Sequence, residues 1–465
     1  MSITAGVGLS SGIDYNQLIA GLMEVERQPL YRLQSKQSGY NTQISVYGEI
    51  SSRLSAIKTA MDNLRTTSNF YAKTVSVSDT TVLDATVSNS AAAGNYKIES
   101  HSVAGKIQLA AVEKELHTGV AASTTVVNNS GADKVFQYTY AGTQRSITVA
   151  NGTTLEGLRD AINSDASNPG VTATILNDGT NYRLVLTGKD TGSAKTITID
   201  AGTTLDGTGS TVDFRAATFT QTQAAQDAKF RVDGVDITRT SNSITDVITG
   251  VTFTLKKEIS SGSVTLSVTN DTATIKGKID SFVSAYNNLV SYVSSQSTYN
   301  TTTHTGGPLF GDSTSRNAIN RLRSIVATRV DGLPEDMRVL AQIGISTNKD
   351  GTLSVNTTTL TDKLSTSLDK VANLFTTATS GVANQIYNYI DDVTDFVDGA
   401  VTVRTKGLNS NTKEISDKIT ALQDKLVITE RNLRARFANL EALLGGLTSQ
   451  GAFLTNQTTI WGKNN

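Results

Sequence analysis

An α+β multidomain chain is predicted, with terminal helices forming a coiled-coil stalk or leg, a helical domain, and two nested mostly-β head domains. Three observations carry this reading. Apolar residues recur every three or four positions near both ends, the middle switches to short alternating runs punctuated by turns, and helical spacing returns on either side of that middle. At 465 residues the chain exceeds what one hydrophobic core usually supports, and roughly two to four domains are expected.

Near the N-terminus the stripe runs through Leu33, Tyr40, Ile44, Tyr47, Ile50, Leu54, Ile57, Met61 and Leu64. Near the C-terminus it runs through Ile415, Ile419, Leu422, Leu426, Leu433, Phe437, Leu440, Leu444 and Leu447, with one slip near Glu430. Each stripe predicts a helix of about 50 Å at 1.5 Å per residue. So narrow an apolar face is unstable alone, and the simplest partner for either helix is the opposite terminus, paired antiparallel. A structural stalk and a dedicated partner-binding helix both remain open, since neighbouring copies could share one bundle.

Between the stripes the period changes. Val75 and Val77, Val82 with Ala85 and Val87, Tyr96 and Ile98, and Val103 with Ile107 and Leu109 read as strands. From about 113 to 223 the chain is rich in Thr, Asn and Gly, with alternation at Phe136-Tyr138-Tyr140, Ile147-Val149, Leu184-Leu186 and Ile197-Ile199 and a turn at Asp178-Gly179. This reads as an inserted β domain. Within it Leu155, Leu158 and Ile162 share one helical face behind a Thr154 cap. Asp233-Gly234 between Val232 and Val235 is the strongest hairpin signal. Strands continue through Val251-Phe253-Leu255 and Val264-Leu266-Val268, and helix resumes at Ile275, Ile279, Phe282, Tyr286, Leu289 and Val293, then across Ile319, Leu322, Ile325 and Val330. The division expected is 1–43 with 430–465 as terminal leg, 44–73 with 274–429 as helical domain, 74–112 with 225–273 as β head, and 113–224 as the inserted outer head.

Composition narrows function. Lys plus Arg (41) balance Asp plus Glu (42) without a long basic run, so no nucleic-acid partner is expected. There is no cysteine, hence no disulfide, thiol nucleophile or thiolate metal site. Residues 1–13 carry no charge and lack the pattern of a secretory signal, and polar residues interrupt every apolar run, so neither a cleaved signal nor membrane insertion is expected. His101, His117 and His304 lie far apart in sequence, without partners at metal-ligand spacing. The run from Ser346 to Gly351 starts like a calcium loop, but Thr357 stands where a bidentate Glu is required, so Asp350-Gly351 reads as a tight turn. No Gly-x-Ser-x-Gly elbow or phosphate-cradling loop occurs, and an enzyme is not expected. Trp461 on its polar tail is either a contact for another chain or a side chain packed on its own helix.

The opening Gly8, Leu9, Ser10, Ser11, Gly12, Ile13 and Asp14, continued by Glu26, Arg27, Gln28, Pro29 and Leu30, resembles the start of flagellar filament caps, the hook-associated protein 2 family. A mid-chain block containing Asp233, Gly234, Arg239, Asn242, Ile244 and Gly250 resembles the same family, while Asn168-Pro169-Gly170-Val171 resembles a motif shared with flagellins. The resemblance implies an extracellular plate at the filament tip, a homo-oligomeric ring that is often a pentamer. Its helical legs would retain exported flagellin and promote its folding beneath the cap. Hook–filament junction proteins and a flagellar export chaperone are further implied partners, no cofactor is implied, and export proceeds through the flagellum's own channel. Some members also bind host mucin through the head. A junction protein or flagellin itself would share the terminal helices, but not the block from 227 to 252.

Overall fold

The computed structural model describes residue 12 and residues 14–462, the side chains of 460–462 excepted. Gly8, Leu9, Ser11 and the Trp461 side chain therefore lie outside the described residues.

In chain order the helix α1 (Tyr15–Asp62) and the single turn α2 (Thr67–Phe70) lead into β1 (Lys73–Val77), β2 (Leu83–Val87) and β3 (Gly94–Glu99). Then come β4 (Lys114–His117), β5 (Lys134–Tyr140), β6 (Thr143–Val149), α3 (Leu155–Ser164), β7 (Val171–Asn177), β8 (Tyr182–Gly188), β9 (Ile197–Ile199) and β10 (Phe219–Gln223). After them follow β11 (Ala228–Val232), β12 (Val235–Arg239), β13 (Ser243–Ile248), β14 (Val251–Leu255) and β15 (Ser263–Asn270). The chain closes with α4 (Thr272–Gln296), the hairpin β16 (Tyr299–Asn300) and β17 (Thr305–Gly306), α5 (Ser313–Ala327), the hairpin β18 (Ile345–Thr347) and β19 (Leu353–Val355), α6 (Thr357–Thr366), α7 (Leu368–Thr376), α8 (Val382–Thr394) and α9 (Ala400–Gly462). Among the described residues these elements pack as a helical unit, 14–70 with 273–462, and a β unit, Tyr71–Thr272.

The β unit holds two cores. In the first, a five-stranded sheet ordered β1-β15-β3-β11-β12 and a three-stranded sheet β13-β14-β2 enclose Leu83, Ile98, Phe230, Phe253 and Leu266. Its hairpin turns at Asp233 (φ 49°) and Gly234 (φ 84°) with Val232 opposite Val235, the twist-matched geometry that Asp-Gly favours. In the second, residues 114–223 form the sheets β10-β4-β8-β7 and β6-β5-β9 with α3 packed on β7. Thr154 caps α3 by accepting from the Gly157 amide, and Leu155, Leu158 and Ile162 are fully buried with Phe136, Tyr138 and Phe214. The expected strand at Val103, Ile107 and Leu109 is instead a loop with isolated bridges at Ile107 and Gln108, and Val103 is 84% exposed. Alternation alone did not reveal the turn from His101 to Lys106, with Gly105 at φ 66°, that breaks it.

In the helical unit α1 runs 48 residues and α9 63 residues, about 72 and 95 Å at 1.5 Å per residue, well beyond the two expected spans. α1 starts where Asp14 accepts hydrogen bonds from the amides of Asn16 and Gln17. It passes through Pro29, which leaves the Val25 carbonyl without its helical donor; Val25 is 70% exposed, so water can serve that carbonyl. α9 starts earlier than Ile415 because Val401 and Leu408, one heptad apart and almost wholly buried, extend the seam backward.

Candidate assembly surface on the terminal helices

The two long helices pair antiparallel over a seam of Ile19, Met23, Leu30, Ile415, Ile419 and Leu426, flanked by half-buried Leu33, Tyr40, Leu422, Leu433 and Phe437. At its far end the Tyr15 ring lies 5.1 Å from Phe437, and the Tyr15 hydroxyl donates to Glu441 Oε2 at 2.8 Å. Arg434 holds Glu430 one turn away and donates to Asn16 Oδ1 at 3.2 Å. The seam is thus closed by an aromatic pair with a polar clasp at its rim.

The expected stripe from Leu33 to Leu64 divides in two. Leu33 and Tyr40 join the seam with α9, and Ile44 is half-buried. Tyr47, Leu54, Ile57, Met61 and Leu64 are instead at most 1% exposed and sit inside the helical unit's own core. There Lys58 pairs with Asp391, and Arg65 lies 4.3 Å over the Tyr387 ring, so α8 covers this end of α1. Pairing with the C-terminal seam along the whole stripe is therefore corrected, because the shorter helices fill the space beside residues 47–64. The seam's actual N-terminal partners, Tyr15, Ile19, Met23 and Leu30, lie earlier in the sequence. Their spacing of four, four and seven was readable, but Pro29 reads as a helix breaker and hides it.

Beyond Phe437 the C-terminal stripe turns outward. Leu440 (43%), Leu443 (62%), Leu447 (56%), Phe453 (64%) and Leu454 (63%) are exposed, Leu444 is half-buried, and residues 442–462 contain no charged side chain. On α1, Leu18, Leu22 and Val25 are exposed beside the seam. One end of this helix pair consequently presents a run of apolar side chains that nothing in the described chain covers.

Where the pair joins the remaining helices, Asp312 ties three elements together. It caps α5 by accepting from the Ser315 amide at 2.9 Å, accepts from the Tyr47 hydroxyl at 2.6 Å, and meets Arg404 of α9 at 3.1 Å. Burial alone would raise its pKa; the Ser315 and Tyr47 hydrogen bonds and the Arg404 charge overcome that and hold it below the usual carboxylate range. Sequence reasoning missed this group, although Asp before Ser-Thr-Ser is a readable cap.

The His117 and Asp350-Gly351 candidates have local structural partners. The His117 ring is buried and stacked 4.1 Å from Phe214, with Nε2 donating to the Asp213 carbonyl at 2.7 Å and Nδ1 accepting from Gly119. Asp350-Gly351 turns the β18–β19 hairpin, with Gly351 at φ 86°. Among the described residues, no three His, Asp or Glu side chains converge as metal ligands, and no helix is long and apolar enough to cross a membrane.

Comparison with known proteins adds the family. The profile described as "Flagellar hook-associated protein 2 C-terminus" matches residues 225–449, and its N-terminal counterpart matches residues 11–106. The B-type flagellar hook-associated protein 2 of Pseudomonas aeruginosa is 31% identical over 429 residues, covering 87% of each chain. The chain belongs to the flagellar hook-associated protein 2 family. The Escherichia coli K12 hook-associated protein 2 is 28% identical over 80% of this chain and 79% of its own length. The crystal structure of D1-D2-D3 domains of the E. coli flagellar cap protein FliD superposes with TM-score 0.60 and 28% identity, covering 78% of this chain and 99% of that one. A "Flagellin hook IN motif" matches residues 128–190 within the second β core.

The sequence blocks that resembled hook-associated protein 2 now have physical roles. Asp233 and Gly234 form the hairpin turn; Arg239 pairs with Asp246 at 3.0 Å. Asn242 brackets Ala110, donating to its carbonyl at 2.8 Å and accepting from its amide at 2.7 Å. Gly250 has φ 77°, and a Cβ there would lie 2.8 Å from Ser88 Oγ. Asn168 makes the same kind of bracket, donating to Ile162 and Val171 carbonyls and accepting from Gly170 and Val171 amides. Gly12 lies at φ 71° just before the Asp14 cap, and Glu26, Arg27 and Pro29 sit exposed along α1. The mid-chain block maintains the β fold, while Glu26, Arg27 and Pro29 of the opening block lie on α1 of the terminal helix pair.

Proposed function

We propose that the chain caps a bacterial flagellar filament, forming a ring at the distal tip that retains exported flagellin and promotes its folding and polymerisation. The observation that carries the reading is the antiparallel terminal helix pair with an uncovered, charge-free apolar end, in a member of a family whose E. coli relative bears the name of flagellar cap protein. A helix pair of that kind gains stability only by burying its open face against another helical surface, each fully covered Leu contributing about 1.5–3 kcal/mol. Subunits that present matching helices, copies of this chain or flagellin, are the natural complement. In this scheme residues 1–43 with 430–465 act as the leg, 44–73 with 274–429 as the helical domain, and the β unit forms the plate in two parts divided near 113 and 224. The hook–filament junction proteins and an export chaperone are the transient partners of the same apolar ends before seating. No step of this role calls on a cofactor or on catalysis.

Leu440→Asp with Leu444→Asp tests the reading. Neither side chain belongs to the buried seam, so the purified chain should unfold at the wild-type temperature. Cells carrying the variant should export it normally, make short filaments and lose flagellin monomer to the medium. Normal filaments would contradict the proposal.

A further inference from the structure

The second β core contains two carboxyl groups that its packing leaves without a cation. Glu113 and Glu115 project from the same side of the strand that brings the chain into this subdomain, and they are 2% and 9% exposed. Glu113 Oε2 accepts the Ile197 amide at 2.9 Å, its Oε1 accepts from Gln221 Nε2, and Glu115, two residues on, is its neighbour on the same buried face. Those contacts reach three separate pieces. Ile197 begins β9, in the sheet β6-β5-β9; Gln221 lies on β10, the strand by which the chain leaves; and Glu113 and Glu115 lie on the incoming segment, in the other sheet.

We infer that the Glu113–Glu115 pair is a proton-operated latch at the neck of this subdomain: with one shared proton it joins the incoming strand, the outgoing strand and β9, and loss of that proton to solvent releases them. Two carboxylates side by side on one buried strand face cannot both be charged without a large electrostatic cost. The surroundings offer no neutralising group. On β4, His117 shares the face of Glu115, but both its nitrogens are committed to the backbone and burial lowers its proton affinity. Lys114 takes the opposite face by strand alternation. On β8, Leu186 stands opposite Glu115, and Arg183 is paired with Asp178. On β10, Gln221 is neutral, and β9 contributes Ile197; in the loop between β8 and β9, Lys195 is 3.9 Å from Asp190.

Burial, with the Glu113 charge behind it, pushes the Glu115 carboxyl up to about 7. An acid raised in the folded state contributes stability that is whole below its unfolded value and is lost as pH rises through the folded one. The latch is therefore closed in mildly acid surroundings and opens in alkaline ones. The inference is independent of the capping role.

The test is amide hydrogen exchange on the full chain at about pH 5.5 and about pH 8.5, corrected for intrinsic exchange. In the wild type, peptides covering 113–117, 197–199 and 219–223 should lose protection across this interval, by up to the order of a hundredfold. Glu115→Gln keeps a donor towards Glu113 and removes the charge, so its protection should not step with pH. A step that persists in Glu115→Gln, or none in the wild type, overturns the inference. Infrared spectroscopy of the unmodified chain provides a check that needs no variant. A protonated carboxyl band should be present at the lower pH and vanish near neutrality, and a chain with no such titration contradicts the latch.

Discussion

Asp312→Ala should destabilise the helical unit by about 2–4 kcal/mol, a magnitude that follows from three contacts. Loss of the α5 cap costs about 1 kcal/mol. The Tyr47 hydroxyl, on a side chain 1% exposed, loses its acceptor, at about 1–3 kcal/mol for an unsatisfied buried group. Arg404 is 39% exposed and regains water, so its lost ion pair adds only a few tenths, about the value of a surface pair. Asp312→Asn retains an oxygen for both hydrogen bonds and should cost about 1 kcal/mol. α3 apart, the described α-helices belong to the helical unit, so urea denaturation followed by far-ultraviolet circular dichroism reports on it. The native environment holds Asp312 below the usual carboxylate range, so its contribution is present above the unfolded value and lost as pH falls through the folded one. The wild type should accordingly lose more stability than Asp312→Asn on acidification below about pH 4. A shift under about 0.5 kcal/mol for Asp312→Ala would refute the view that this carboxylate clasps α1, α5 and α9.

Two other substitutions probe separate levels of the structure. Gly234→Val adds a side chain in open space at φ 84°, so its whole cost is backbone strain of about 1–3 kcal/mol on the β unit; urea unfolding of the full chain monitored by β-unit hydrogen exchange should show it, and an unchanged midpoint would contradict the turn assignment. Phe437→Ala removes the ring that meets Tyr15 and should cost about 1–2 kcal/mol in the terminal seam, seen as faster amide exchange in residues 15–23; unaltered exchange there would mean that the aromatic pair does not close the seam.

The sequence made short, self-contained devices legible. The Thr154-capped α3 and the Asp233-Gly234 hairpin each depend on residues within a few positions, and both are present as expected. The seam at Ile415, Ile419, Leu422 and Leu426 was visible because a heptad rhythm reports burial directly. Its partner was not, because local rules weigh Pro29 as a stop, whereas a long helix packed along a second one tolerates a single missing hydrogen bond on its wet face. Helices α6, α7 and α8 escaped notice for another reason. They are 10, 9 and 13 residues long, too short for a stripe to stand out, and are stabilised by burial of Leu360, Val371, Phe375 and Ile386 in a core assembled from distant segments. The Glu113–Glu115 pair was equally invisible, since alternate acidic residues on a strand ordinarily read as a solvated face. Aromatic residues in the insert also bear on its surface chemistry: Phe136, Tyr138, Tyr140 and Phe214 point inward, so a sugar-stacking role for host mucin gains no support from them.

Electron microscopy of a strain lacking this gene, before and after complementation, tests the central claim most directly. The account predicts short or absent filaments with flagellin lost to the medium, and full-length filaments once the chain is restored. Normal filaments in the deletion strain would contradict it.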